Sequence, residues 1–146
     1  MTRVRLQLPK NFPFRTEIPV RISDINYGGH LGNDAVLSIV HEARIQFLRS
    51  LGYSEFDIEG REMIMTDAII VYCSEGFYGD VLMVEVDALD FQFASCDVVF
   101  RLTNTVTNTE VACVKTGIAF RNKQTRKIAA VPDAFRKKCT HATSSS

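Results

Sequence analysis

Hydrophobic and polar positions change their period along the chain, and each change predicts an element. Residues 14–22 alternate, with Ile18, Val20 and Ile22 on one side and Arg15, Glu17 and Arg21 on the other, the period of a half-buried strand. Pro19 lacks an N–H donor, which suits a strand end or an edge. Residues 23–33 then lose all period and fill with Asp, Asn and Gly, the composition of a loop. From there Val36, Val40, Ala43, Phe47 and Leu51 recur at helical spacing. Asn33 or Asp34 is placed to cap this helix and Gly52 to close it. Leu37, Ile39, Ile45 and Leu48 widen the stripe, so the helix is expected to be embedded on most sides. Its ~18 residues would span ~27 Å.

Two-residue alternation dominates the rest. Segment 61–74 sets Ile64, Ala68 and Ile70 against Met65, Asp67 and Val71, and segment 81–93 sets Leu82, Val84, Val86 and Ala88 against Glu85 and Asp87. Val98, Phe100 and Leu102 mark a strand over 94–106, a turn follows at 107–109, and 110–122 reads as the last long strand. Pro132 can open a short helix running to Lys138. One strand, one long helix and four strands joined by hairpin-like turns form an α+β pattern: a long antiparallel sheet wrapped around one central helix. The expected organisation is an N-terminal extension at 1–13, one domain at 14–138 and a disordered tail at 139–146.

Composition narrows the class without naming it. The 146 residues match one domain, and such a chain buries about 68–70% of its unfolded surface without staples. Hydrophobic residues at 46% and charged ones at 23% are ordinary for a globular protein. Seventeen basic residues balance seventeen acidic ones, which argues against nucleic acid as a partner. No apolar run reaches the ~20 residues of a membrane span, and no secretory signal is visible. Cys73, Cys96, Cys113 and Cys139 are widely spaced with no C-x₂-C pair, so they read as reduced thiols in a cytoplasmic protein, with no metal site expected.

Distribution of charge matters more than its sum. Residues 54–97 carry eleven acids and one base, whereas 98–138 carry nine bases against Glu110 and Asp133. The basic segment suits either a solvated face or a phosphate-bearing ligand near Arg121, Lys123, Arg126 and Lys127.

Polar groups gather in the loop and the helix behind it: Asp24, Asn26, His30, Asn33, Asp34, His41 and Glu42. Gly28 and Gly29 allow backbone shapes that let a ligand approach, and N–H groups at 29–33 open an apolar helix whose N-terminus favours negative charge. A carboxylate beside preorganised donors can serve acyl transfer. The same residues also suit a structural role, with Asp24 and Asn26 making Asx-turns and Asn33 capping.

The run from Ser23 to Asn33 (SDINYGGHLGN), followed by His41 to Gly52 (HEARIQFLRSLG), resembles the hotdog-fold acyl-CoA thioesterases of the 4-hydroxybenzoyl-CoA thioesterase type. Tyr78-Gly-Asp-Val-Leu82 and residues 128–135 extend the likeness over about residues 14–138. The resemblance implies a hotdog fold and hydrolysis of an acyl-CoA, with coenzyme A as part of the substrate and no separate cofactor. It implies a homodimer or a dimer of dimers with the site between subunits. Asp24 matches the family's base or nucleophile and Glu42 the helix acid used by some branches. The N–H near Leu31 matches the oxyanion donor, and Gly29, His30 and Asn33 match loop-shaping positions. Asn26 stands where members often carry a second acid, and Val36 where a tyrosine often sits. Met63, Met65, Phe77, Phe91 and Phe93 are candidates for an acyl channel or plain core. Rival readings are a hotdog enoyl-thioester hydratase and a non-catalytic acyl-CoA-binding module.

Overall fold

The computed structural model describes residues 4–144. Residues 1–3 of the expected extension and 145–146 of the expected tail lie outside the described residues. Strand β1 (Phe14–Pro19) leads through a single 3-10 turn (Ile22–Asp24) and the loop to helix α1 (Asn33–Ser50). Strands β2 (Arg61–Tyr72), β3 (Val81–Leu89), β4 (Ser95–Asn104) and β5 (Glu110–Asn122) follow, and helix α2 (Asp133–Ser144) ends the chain. All pairings are antiparallel in one sheet of order β1-β3-β4-β5-β2. This is the expected hotdog arrangement, a sheet curled over one long helix.

One face of the sheet carries the core. Leu82, Val84, Val86 and Ala88 of β3 align with Val98, Phe100 and Leu102 of β4 and with Ala112, Val114 and Ile118 of β5, all buried. Onto them α1 turns Val36, Ile39, Val40, Ala43, Phe47 and Leu48, also buried, so the helical stripe lands where its spacing placed it. Thr116 lies inside this face and donates its hydroxyl to the Val98 carbonyl at 3.0 Å.

Several local expectations are corrected. Strand β1 stops at Pro19, which cannot donate to a ladder, and Ile22 is 69% exposed in the following turn. Gly32, not Asn33 or Asp34, is the N-cap of α1, and no side chain caps it. At the other end Gly52 does adopt φ +89 behind the last turn. No residue of β2 is fully buried despite its alternation, because β2 is an edge strand. Strand β3 ends at Leu89, leaving Phe93 exposed. Helix α2 continues past Lys138, and Cys139, assigned above to a disordered tail, is buried. It lies one turn beyond Phe135, whose ring meets Phe91, Phe120 and Tyr53 at centroid distances of 5.5–6.1 Å. The extension packs too: Arg101 of β4 donates to the Pro9 carbonyl at 3.3 Å and covers the Phe12 ring.

Asp87 is the main surprise. Its strand position reads as solvent-facing beside Glu85, yet it is only 2% exposed and its Oδ1 has no hydrogen-bond partner. Burial raises its carboxyl to about 6, against a smaller opposing effect of the Ala88 N–H. A carboxyl raised above its unfolded value contributes stability that is present below about pH 4 and lost as pH rises through about 6. Asp87→Asn is therefore expected to be more stable than wild type by about 2–3 kcal/mol near pH 8, a gain that shrinks toward about pH 4. Urea melts of both proteins at the two pH values check this; an equal difference at both would contradict it.

Candidate active site

Backbone hydrogen bonds fix the loop before any side chain acts. Gly32 donates to the Asp24 carbonyl at 2.9 Å, closing the loop on itself, and Leu31 donates to the Gly76 carbonyl at 2.7 Å, tying it to the segment after β2. The Tyr72 hydroxyl adds a bond to the Asn33 carbonyl at 3.2 Å. Gly76 packs so closely on Leu31 that an added Cβ would sit 3.2 Å from that side chain. Inside the loop the Asn26 Oδ1 accepts from Gly28 at 2.9 Å and from His30 at 3.4 Å, and Gly29 takes φ +83. Asn26 is thus a shaping residue, as its Asx-turn alternative holds.

Asp24 is buried at 5% exposure. The Arg21 N–H donates to its Oδ2 at 2.8 Å, a strong fixed bond. The Arg21 guanidinium approaches only to 3.5 Å of Oδ2 and 3.4 Å of Oδ1. The alternation of residues 14–22 places Arg21 on the outer face of a strand, but the short turn folds it back over Asp24. The i, i+3 spacing of Arg21 and Asp24 is the signal that could have shown it.

Asp24 and Glu42 line one cleft of about 410 Å³ between the end of β1 and the side of α1, together with Glu17, Arg21, Ser38 and His41. Glu42 is exposed and accepts from the Gln46 amide at 2.7 Å. His30, Leu31 and Asn33 line a different cleft of about 300 Å³, shared with Tyr72, Cys73, Glu75 and Gly76. There His30 Nε2 lies 3.9 Å from Glu75. The structure therefore brings the two carboxylates together and separates them from the other loop residues. The Leu31 N–H, matched above to an oxyanion donor, is spent on Gly76. The N–H groups of Asn33 and Asp34 in the first turn of α1 have no backbone acceptor.

Other predicted site residues fall elsewhere. Arg121 is held by Glu62 at 2.6 Å, while Lys123, Arg126 and Lys127 lie on an exposed turn that Asn122 caps through Gln124 and Thr125. None of the four lines the Asp24 cleft. Met65 lines a third cleft with Leu37, Val40 and Arg44, and Phe77 and Phe93 are exposed. Met63 and Phe91 pack against the core. Among the described residues, one group of side chains is close enough to share a metal ion, Cys73, Glu110 and Cys113.

Glu55 was missed altogether. It follows α1 and accepts from His41 Nε2 at 3.1 Å and from Arg44 at 3.2 Å, bracing the wall of the cleft. Nothing local in sequence distinguishes it from the other acids of its segment.

The sequence matches the thioesterase-like superfamily over residues 20–139. No curated protein matches it. Among solved structures it is similar to a hypothetical protein from Staphylococcus aureus in complex with CoA, at TM-score 0.81 and 20% identity over 96% of this chain and 89% of that one. A 1,4-dihydroxy-2-naphthoyl-CoA thioesterase from Synechocystis superposes at TM-score 0.79 and 19% identity, covering 87% of this chain and 95% of the other. A DHNA-CoA thioesterase from Staphylococcus aureus does so at 0.75 and 20%, covering 90% and 88%. At such identities the structural likeness is one of fold.

The His41–Glu55–Arg44 cluster gives this wall a pH dependence. Burial pushes the Glu55 carboxyl up, but the hydrogen bonds and charges of His41 and Arg44 together bring it below its ordinary value. A lowered carboxyl contributes stability present above its unfolded pKa and lost as pH falls through the folded one. Glu55→Gln is expected to cost about 1–3 kcal/mol near neutral pH and progressively less in acid, as wild type loses the same charge. Chemical denaturation near pH 7 and pH 3 measures the two differences, and a constant cost would refute this reading.

Proposed function

The chain belongs to the thioesterase-like superfamily, and on that premise we propose that it is an acyl-CoA thioesterase of the 4-hydroxybenzoyl-CoA type that uses Asp24 as base or nucleophile. The observation that carries this reading is Asp24 itself: a buried carboxylate, fixed by a main-chain N–H, on the wall of a cleft beside α1. With Oδ2 anchored by the Arg21 N–H, Oδ1 is the freer oxygen, and it activates water or attacks the thioester carbonyl. Negative charge on the carbonyl oxygen is met by the positive end of the α1 dipole rather than by Leu31, whose N–H is spent on Gly76. Glu42, across the same cleft, is the alternative acid. The reaction needs no cofactor, since coenzyme A arrives with the acyl group.

A second copy completes the unit in this proposal. Strand β2 is an edge, and beyond Met63, whose N–H is taken by the Glu55 carbonyl, the outer side of its backbone is unpaired in the sheet. Pairing of two copies gives a homodimer, or a dimer of dimers, with a site between subunits. Lys123, Arg126 and Lys127 then serve the CoA phosphates at the partner's cleft, while Arg121 stays with Glu62.

Thiol release from a panel of acyl-CoAs tests the chemistry. Asp24→Asn is expected to lower kcat by about 10²–10⁴-fold, whereas Glu42→Gln keeps most activity. Release from no acyl-CoA overturns the thioesterase reading, and binding without turnover makes the protein an acyl-CoA-binding module. Hydration of crotonyl-CoA makes it a hydratase. Activity that survives Asp24→Asn but not Glu42→Gln moves the chemistry to the helix. Removing the three exposed bases together should raise KM for acyl-CoA and leave KM for a phosphate-free thioester of the same acyl group unchanged. An equal change for both would remove them from CoA binding.

A further inference from the structure

The pairing of β2 with β5 brings together three groups that neither the fold nor the thioesterase reading uses. Cys73 directly follows β2, Glu110 opens β5, and Cys113 lies three residues further on. In a regular strand, positions 110 and 113 would face opposite sides. Here the register slips between Leu102 and Thr103, which pair with Ala112 and Glu110. The irregularity leaves Val111 and Ala112 both buried and swings Glu110 onto the side of Cys113. Cys73 and Ser74 confirm the distortion from the other strand, both donating to the Val111 carbonyl.

As a result the two sulfurs and a Glu110 carboxylate oxygen all lie within 4.8 Å of one another, with Cys113 Sγ 3.7 Å from Glu110 Oε1. We propose that Cys73, Glu110 and Cys113 form a binding site for one thiophilic divalent cation of the zinc class, with the remaining position open to water.

Ligand type, spacing and charge agree. Two thiolates and a carboxylate are zinc donors, and a tetrahedral ion with Zn–S bonds of about 2.3 Å holds its sulfurs about 3.8 Å apart. Small side-chain rotations close the present spacing to that value. A disulfide would compete for the same two sulfurs, although Cys73 is only the diagonal neighbour of Cys113, since Val71 faces Cys113 in register.

Cys73 and Glu110 are exposed, giving an ion a path in, while Cys113 is half-buried. Arg101 Nε lies 3.1 Å from Glu110 Oε1 but makes no hydrogen bond there, so the carboxylate is attracted without being tied. Two thiolates, one carboxylate and the dication leave one negative charge, which Arg101, shared with Glu85 at 3.6 Å, offsets in part. Without a cation the Cys113 thiol is pushed up to about 12, by burial first and then by Glu110 and Cys73, and stays protonated. Binding takes the sulfurs as thiolates and is therefore coupled to proton release. It would also tether the segment running from Cys73 to Gly76, whose carbonyl holds the Leu31 N–H.

The test titrates the reduced, chelator-stripped full chain with Zn²⁺ against a chromogenic chelator, and with Cd²⁺ while following the ultraviolet cadmium–thiolate band. One equivalent should bind at micromolar affinity or tighter, with proton release and protection of two thiols from a thiol reagent. Cys73→Ser and Cys113→Ser should each strip intensity from the band, and Glu110→Gln should weaken binding by an order of magnitude or more. Circular dichroism verifies that each variant is folded. Absence of the band in wild type overturns the proposal. So does binding that persists in the double serine variant, or a Cys73–Cys113 disulfide closing under mild oxidant in a protein that takes up no zinc.

Discussion

An 18-residue helix whose apolar face cannot be left in water is the constraint that organises this molecule. Burying Val36, Ile39, Val40, Phe47 and Leu48 is worth about 1.5–3 kcal/mol each. That gain exists only if the sheet curls over the helix, and the strands from β3 to β5 supply a matching apolar face. Once α1 is seated, its first turn has a fixed place, and the loop from Asp24 to Gly32 must end there. The Gly32 bond to Asp24 and the Leu31 bond to Gly76 convert that fixed end into a fixed position for the carboxylate.

The site is consequently built more by main chain than by side chains. Gly32 caps the helix without a side chain, and Gly76 admits Leu31 at a contact that an added Cβ would tighten to 3.2 Å. Peptide groups serve this purpose well because they carry no rotamer freedom to lose when a substrate binds. The side chains that do participate, Glu55 above all, brace the helix from outside the cleft through His41 and Arg44.

What could be read in the sequence follows from the same physics. The stripe of α1 was legible because burial of a helix face leaves a period, and β3 was legible because its core-facing residues alternate. Strand β2 was legible as a strand but not as an edge, since edge status depends on which strands fold beside it. The Gly32 cap left no signal, because the usual sign of a cap is a polar side chain. Asp87 looked solvent-facing, as an acid in an alternating strand should, and only its tertiary cover decides otherwise. Resemblance singled out Asp24 and Glu42, which do share a cleft. It could not foresee that Leu31 spends its N–H on Gly76, a residue from a distant segment.

Arg21 raises the question of whether a cation beside Asp24 disables it. A charge-assisted contact at 3.4 Å would do so if both partners were buried, because the ion pair would then resist separation by several kcal/mol. The Arg21 side chain, however, is 68% exposed, so water screens the guanidinium and its long contact is weak beside the main-chain bond. In the proposed mechanism an incoming thioester displaces the guanidinium without disturbing the carboxylate, whose orientation rests on the main-chain N–H at 2.8 Å. The strong bond sets direction and the weak one supplies a counter-charge while the cleft is empty. Losing the Arg21 side chain thus leaves the geometry of Asp24 intact, whereas any change that moves the backbone between Arg21 and Asp24 does not.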